Sequence, residues 1–363
     1  MALPLPLTGP SYLPADDTAR VLIVDDSVVA RAVIARMIDA SDRFSVVGAV
    51  ANAAAALEFL ARASVDFILL DIEMPGVDGL TALPDLIAAG KGAKVLIVSS
   101  SADEGGAATV QALALGAAET LEKPGAAGLS GRFGSALVEK LERLCERPAQ
   151  MPPAVLIRAL QTGSAMPRSS GEDYDIVAIG ASTGGIHALG QVLRALPVSF
   201  RLPILVTQHL PTSFMPYFAA QLAVLSGRPC EVAVDRLRIR PGRLIVAPGD
   251  AHLKCMRLGD GSVALRLTHE PAASGCMPSV DPMLASVAQV YGARTLAIVL
   301  SGMGRDGAEG ARQVHDAGGC VVAQDQASSV VWGMPGAVAA AGIAAAVLAP
   351  DDIGRLVASR RRP

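Results

Sequence analysis

Residues 175–185, DIVAIGASTGG, are the stretch on which the rest of the chain is read. Ile176, Val177 and Ile179 make a short apolar run of strand character. A serine set among small residues follows at once, and residues 186–196 resume at helical spacing. A serine on a tight strand-to-helix turn is the G-x-S-x-G nucleophile elbow, in which small neighbours let the backbone bend and leave the hydroxyl exposed. The helix that follows points its unpaired N–H groups back at the serine, which favours a negative oxygen formed there. A glycine-rich phosphate loop has the same outline. The surrounding chain has to separate the two.

A chain of 363 residues has room for two domains with separate cores. Hydrophobic residues make up 51% and aromatics only 3%, a composition suited to α/β layers of Val, Ile, Leu and Ala. The net charge of −3 gives no electrostatic case for nucleic acid or a membrane surface. Cys145, Cys230, Cys255, Cys276 and Cys320 contain no C-x-x-C pair and read as reduced thiols. Residues 1–18 lack a basic region, are broken by prolines, and read as a disordered lead-in rather than a signal peptide. No apolar run reaches the ~18 residues of a membrane span. A soluble, cytoplasmic protein is expected.

In the N-terminal half, strands are predicted at residues 20–24 (RVLIV), 46–50, 65–70, 94–98 and, weakly, 120–121. Helices are predicted at 28–38, 53–63, 80–89, 110–115 and 135–145. The alternation implies a parallel sheet with helices on both faces. Ligands of such sheets bind at the carboxyl ends of the strands. Those ends carry Asp25, Asp26, Asp71, Ser99 and Lys123. Clustered carboxylates call for a cation, and all-oxygen ligation suits Mg²⁺. An aspartate beside Mg²⁺, a lysine and a hydroxyl can act as nucleophile toward a phosphoryl group.

With VDDS, LLDIEMPGVDG, IVSS and EKP in this order, residues 19–145 resemble a two-component receiver domain. The resemblance implies a flavodoxin-like (βα)5 fold with Asp71 as phosphoacceptor. It also implies Mg²⁺ held by Asp25, Asp26, Asp71 and the backbone carbonyl of Glu73. Ser99 and Lys123 would contact the phosphoryl group, a cis bond would precede Pro124, and a histidine kinase of the chemotaxis type would be the phosphodonor. Thr120 stands where receivers usually carry Phe or Tyr, which leaves the usual aromatic switch without its ring. Residues 146–172, rich in Pro, Gly and Ser, read as a linker with a short helix at 155–160.

In the C-terminal half, a strand at residues 202–207 ends in Gln208-His209, and a helix is predicted at 211–225. A strand at 243–247 follows, then a hairpin pairing 253–257 with 263–267. After a helix at 280–291, a strand at 294–300 ends in Ser301-Gly302-Met303-Gly304-Arg305-Asp306-Gly307. A helix at 308–317, a strand at 320–323 and a loop at 329–336 come next, and 350–363 read as a solvated tail ending in three arginines. A dinucleotide site needs an acidic residue at the end of the second strand, where His209 stands. A P-loop needs lysine after the glycines, where Ile186 stands. Ser182, His209 and Asp306, each at a strand end, instead match nucleophile, base and orienting carboxylate. The order Ser…His…Asp excludes the α/β-hydrolase fold. The competing assignments are Ser182 as a helix N-cap, Asp306 as a cap of the next helix, and Asp250 or Asp281 in the third role. His187, His252, His269 and His315 are weaker bases.

GASTGG, QHLP, RPGRLIVAPGD, PSVD, GMGRDG and VVWGMPG occur in the order found in the chemotaxis protein-glutamate methylesterase (CheB) family, so residues 173–349 resemble its catalytic domain. The resemblance implies a doubly wound, mainly parallel sheet. Ser182, His209 and Asp306 would be the triad, with Thr183 and Met303 bordering the oxyanion. It implies hydrolysis of glutamate methyl esters, and deamidation of certain glutamines, on chemoreceptor signalling helices, without a cofactor for the ester step. The unphosphorylated receiver would cover the active site. The family commonly carries a basic run before PSVD, and here Ser274-Gly275-Cys276-Met277 stands instead. Two alternatives follow: the same hydrolase on another methylated protein, or a non-enzymatic response regulator with a partner-binding output domain. For the hydrolase, activity is expected to rise through the ordinary histidine range, roughly pH 6 to 7.

Overall fold

The computed structural model describes residues 18–100, 102–123, 131–145 and 174–363. The chain divides into two compact units, residues 1–147 and 148–363. The cis bond expected before Pro124 and the linker helix at 155–160 lie outside the described residues, as does most of the lead-in.

The first unit runs β1 (Ala19–Val24), α1 (Val28–Asp39), β2 (Phe44–Val50), α2 (Ala53–Leu60), β3 (Phe67–Leu70), α3 (Gly79–Gly90), β4 (Lys94–Ser100), α4 (Ala102–Leu115), β5 (Glu119–Lys123) and α5 (Gly131–Cys145). The sheet order is β2-β1-β3-β4-β5 with every neighbouring pair parallel. That is the flavodoxin-like winding, with its ligand crevice at the β1/β3 switch point. β3 is buried along its whole length because helices cover both faces. Ser27, Asn52 and Asp78 each accept a backbone N–H three residues on, which starts α1, α2 and α3. α4 begins eight residues earlier than expected, since its first turns (ADEGG) carry no apolar periodicity.

The second unit contains β6 (Ile176–Ala181), α6 (Gly185–Arg194), β7 (Ile204–Gln208), α7 (Met215–Ser226), β8 (Cys230–Val232), β9 (Leu244–Val246), β10 (His252–Arg257), β11 (Val263–Thr268), α8 (Val280–Tyr291), β12 (Thr295–Val299), α9 (Ala308–Asp316), β13 (Cys320–Gln324), α10 (Met334–Ala340), β14 (Ala346–Leu348) and α11 (Pro350–Ser359). Its main sheet has the order β14-β13-β12-β6-β7-β9-β8, all parallel. β10 and β11 form the expected antiparallel hairpin, with Gly259-Asp260-Gly261 between the paired Arg257 and Val263. The chain leaves β6 toward β7 on one side and returns to β12 on the other. The winding therefore reverses at β6, and a crevice opens at its carboxyl end. β6, β7 and β12 are buried throughout.

Three features were not read from the sequence. The edge strands β8 and β14 are only three residues long and half-buried, too short for a periodic signal. α10 begins inside the loop expected at 329–336, with Pro335 in its first turn. The expected solvated tail is α11: Ile353 and Val357 are buried, and a Cβ built on Gly354 would lie 2.5 Å from Ala195 Cβ, so the helix packs tightly against the end of α6. Arg362 donates to the carbonyls of Ala293 (2.6 Å) and Gly318 (2.8 Å), so the arginine end is tied to the domain. The signal was present as Pro350 at the first turn, Asp351 and Asp352 beside it, and apolar residues at 353, 356 and 357.

Candidate active site

β6 delivers Ser182 to the crevice. Its N–H donates to Ser301 O at 3.0 Å, and its carbonyl accepts from Gly185 N (2.7 Å) and Gln208 Nε2 (2.9 Å). The turn closes through Gly184 at φ 73°, which is the N-cap residue of α6 and contributes no side-chain bond. A Cβ on Gly302 would lie 2.3 Å from Met334 Sδ and 2.8 Å from Ser182 Cβ, so glycine is what lets the loop after β12 press against the elbow. Ser182 is therefore not the cap of α6; its Oγ lies 3.1 Å from His209 Nδ1.

His209 is held by its own N–H on Ala181 O at 3.1 Å, and its Nε2 lies 2.7 Å from Asp306 Oδ2. With the ring proton on Nε2 donating to Asp306, Nδ1 keeps a lone pair that accepts from the Ser182 hydroxyl. Asp306 is 2% exposed. Oδ1 accepts from Ser279 Oγ at 2.6 Å, and Oδ2 accepts from Val280 N at 2.7 Å. Asp306 thus sits on the N-terminus of α8, not on the helix that follows it. Burial favours its neutral form, but the bonds from His209, Ser279 and Val280 outweigh burial and hold its pKa well below the carboxylate range. For His209 burial disfavours the charged form. Hydrogen bonding to Asp306 and Cys276, together with their charges, overcomes this and raises its pKa to about 9. That direction places the His209 imidazole above the pH 6 to 7 range of an ordinary histidine.

The rival carboxylates serve elsewhere. Asp281 Oδ1 accepts from Gly310 N at 2.7 Å inside α9, and burial with the nearby Asp306 charge pushes its pKa up to about 6. Asp250 enters through its carbonyl, 3.0 Å from His269 Nδ1. A cavity of about 430 Å³ opens beside Asp306, and Cys276, Asp281, Met303 and Arg305 contribute to its wall.

In the first unit, Asp25, Asp26 and Asp71 bring carboxylate oxygens within 4.8 Å of one another. Lys123 Nζ lies 2.7 Å from both Asp25 Oδ2 and Asp71 Oδ2. Glu73 N donates to Asp71 Oδ1 at 3.3 Å, and Ser99 is buried near the end of β4. Burial is the first cause that raises the Asp71 pKa. Lys123 opposes it, and the Asp25 charge adds to it. Lys123 is disfavoured as an ammonium by burial, yet its bonds to Asp25 and Asp71 raise its pKa overall.

Two family models match the chain: CheB methylesterase over residues 177–357 and response regulator receiver domain over residues 21–129. A protein-glutamate methylesterase/protein-glutamine glutaminase 1 of Paramagnetospirillum magneticum is 42% identical over 94% of this chain and 95% of that protein. A protein-glutamate methylesterase/protein-glutamine glutaminase 2 of Caulobacter vibrioides is 40% identical over 94% and 99%. This chain belongs to the CheB methylesterase family. Its second unit is similar to the crystal structure of the Thermotoga maritima CheB methylesterase catalytic domain, with a TM-score of 0.50 and 36% identity over 51% of this chain and 98% of that one.

Within this CheB-family site, four contributors were not singled out as such from the sequence. Ser279, fully buried, links Asp306 to the start of α8. His252 accepts from Ser279 N at 2.9 Å on Nδ1 and bonds Glu270 O at 2.8 Å through Nε2, so its ring is used in holding the loop before α8. Gln208 braces the elbow carbonyl. Cys276 stands beside His209 and Asp306. Nothing local in the sequence marks the first three, because the bonds that bring them into the site, Gln208 to Ser182, His252 to Ser279 and Ser279 to Asp306, span 26, 27 and 27 residues of chain.

Proposed function

We propose that this protein is a phosphorylation-activated protein-glutamate methylesterase with protein-glutamine glutaminase activity, acting on chemoreceptor signalling helices. The observation that carries the reading is the serine–imidazole–carboxylate line, 3.1 Å and 2.7 Å long, at the ends of β6, β7 and β12. Ser182 Oγ attacks the ester carbonyl carbon while His209 Nδ1 takes its proton. The oxyanion forms beside Thr183 and Met303, near the N-terminus of α6. The imidazolium, held by Asp306, returns the proton to the methoxy oxygen as the C–O bond breaks and methanol leaves. Water then attacks the acyl carbon, His209 takes its proton, and the glutamate carboxylate departs as Ser182 is reprotonated. With glutamine the leaving group is ammonia.

In the receiver, Asp71 takes the phosphoryl group from a chemotaxis histidine kinase, and Ser99 and Lys123 contact it. The all-oxygen set of Asp25, Asp26 and Asp71, crowded enough to need a second cation beside Lys123, fits Mg²⁺, with the Glu73 carbonyl as a further ligand. The metal when bound supplies charge neutralisation at the phosphoryl oxygens. The protein works in the cytoplasm with its kinase and receptors, and among the described residues no helix is long and apolar enough to cross a membrane. We assign the receiver to 19–145 and the linker to 146–172, and extend the catalytic domain beyond 349 through α11. The test is methanol release from methylated receptor membranes with and without a phosphodonor. No methanol in either condition would sink the assignment.

A further inference from the structure

The loop that carries Ser274-Gly275-Cys276-Met277 in place of a basic run brings a thiol to the triad. Ser274 Oγ accepts from Cys276 N at 3.3 Å and bonds Ser279 Oγ at 3.2 Å, and Ser279 in turn bonds Asp306. The loop is thereby tied to the orienting carboxylate. One ligand atom each from His209, Cys276 and Asp306 lie within 4.8 Å of one another. His209 keeps 17% of its side chain exposed, and Cys276 lines the cavity beside Asp306, which provides a path to the group from solvent.

We propose that His209, Cys276 and Asp306 form a binding site for Zn²⁺ that switches the esterase off. Imidazole nitrogen, thiolate sulfur and carboxylate oxygen are the zinc donor set, and three protein ligands leave a fourth tetrahedral position for water. Donors at ~2.0–2.3 Å from zinc lie roughly 3.3–3.8 Å apart, so His209 Nε2 and Asp306 Oδ2, now 2.7 Å apart, have to separate by about 0.6 Å while Cys276 Sγ closes on them by about 1.5 Å at most. This set differs from the receiver cluster, whose three donors are all carboxylate oxygens. Zinc takes the place of the thiol proton, which leaves to solvent, and binds the Nε2 that now faces Asp306. The ring proton that Nε2 donates to Asp306 passes through solvent to Nδ1, so the neutral imidazole ligated at Nε2 carries its single proton there. Nδ1 then donates to Ser182 and cannot accept its proton, so the nucleophile stays in place without a base.

Binding can be read without activity, whereas inhibition rests on the esterase assignment. The probe is Co²⁺ added to the full-length protein in excess Mg²⁺, with Zn²⁺ for the rate measurements. Cobalt should give a sulfur-to-metal charge-transfer band and tetrahedral visible bands in the parent, and neither in Cys276→Ser or Cys276→Ala. Hydrolysis should fall as Zn²⁺ is added and recover with chelator. Relative to each protein's own metal-free rate, the zinc concentration for half inhibition should rise at least ~10-fold in both variants. A thiolate band that survives both substitutions comes from another cysteine and overturns the site, as does equal inhibition of parent and variants. Bound cobalt with undiminished hydrolysis overturns the switch. A band in a protein that hydrolyses no ester supports the metal site and removes the esterase reading instead.

Discussion

Asp71 and Asp306 both stand at the carboxyl edge of a parallel sheet and both are almost fully buried, yet their environments push them in opposite directions. Asp306 accepts from Ser279 Oγ, Val280 N and His209, with a longer contact from Asp281 N, at the N-terminus of α8. Asp71 has one ammonium, one long backbone bond and the competing charge of Asp25. The first carboxylate is saturated with donors and serves as a fixed negative charge. The second has fewer donors on its lone pairs, which suits the phosphoacceptor role proposed for it. Winding supplies the place, and the count of donors decides the chemistry.

The largest effect tests the unit that does hydrolysis. Ser182→Ala should lower turnover by about 10⁶-fold while leaving phosphorylation of Asp71 unchanged. Methanol release by the purified variant is the measurement, and near-parental turnover would remove Ser182 from the mechanism. Asp306→Asn tests the saturated carboxylate. It should cost about 10⁴-fold in kcat through the wrong tautomer of His209. It should also lower stability by about 1–3 kcal/mol, since Ser279 and Val280 lose a charged acceptor. Asp71→Asn should cost no unphosphorylated activity, so a pair of variants with equal basal rates would break the distinction drawn above.

A third expectation concerns pH, in buffers freed of other metals by a chelator. His209 must be neutral to take the serine proton, and its pKa is raised to about 9. Below that value the imidazole is charged, so kcat/KM should rise with pH up to about 9 rather than level off near 7. His209→Gln should abolish the limb, and a limb at 6 to 7 in the parent would show that Asp306 and Cys276 hold the imidazolium less well than their positions indicate. The linkage has the same sign: the folded pKa lies above the ordinary value of 6.5, so the stability from this group is complete below ~6.5 and is lost as pH rises through about 9.

Much of this contrast was legible in the sequence, because strand ends are easy to find in apolar runs and a parallel sheet places them on one edge. Ser182, His209, Asp306, Asp25, Asp71 and Lys123 all follow from that rule. The support of Asp306 was not legible. Its partners come from the start of α8, 25 to 27 residues earlier, and the capping role of the aspartate pointed by proximity to the wrong helix. Cys276 was visible only as a departure from a basic run, and its neighbours became apparent through the Ser274–Ser279–Asp306 chain of bonds. The arginine-rich end hid α11, although the helix signals lay in plain order before it.

The smallest expected effect is the one that joins the two carboxylates. Phosphorylation adds charge to a cluster where Lys123 already bridges Asp25 and Asp71, so the lysine has to reapportion its contacts. A coupling of ~1–3 kcal/mol between receiver and esterase corresponds to about 5- to 150-fold activation. Thr120 stands on β5 three residues before Lys123, at the position where the receiver resemblance leads one to expect an aromatic ring, and a threonine side chain has less surface to move. Activation should therefore fall near the low end, about 5- to 10-fold. The measurement is methanol release by the full-length protein with and without a small-molecule phosphodonor. Asp71→Ala should stay at the basal rate in both. A chain beginning at Asp173 should exceed the basal rate without any donor; if it is no faster than the unphosphorylated full-length protein, the receiver does not restrain the esterase. Thr120→Tyr should raise the activation ratio, and a ratio that is already near 100-fold in the parent would show that the ring is not what carries the signal.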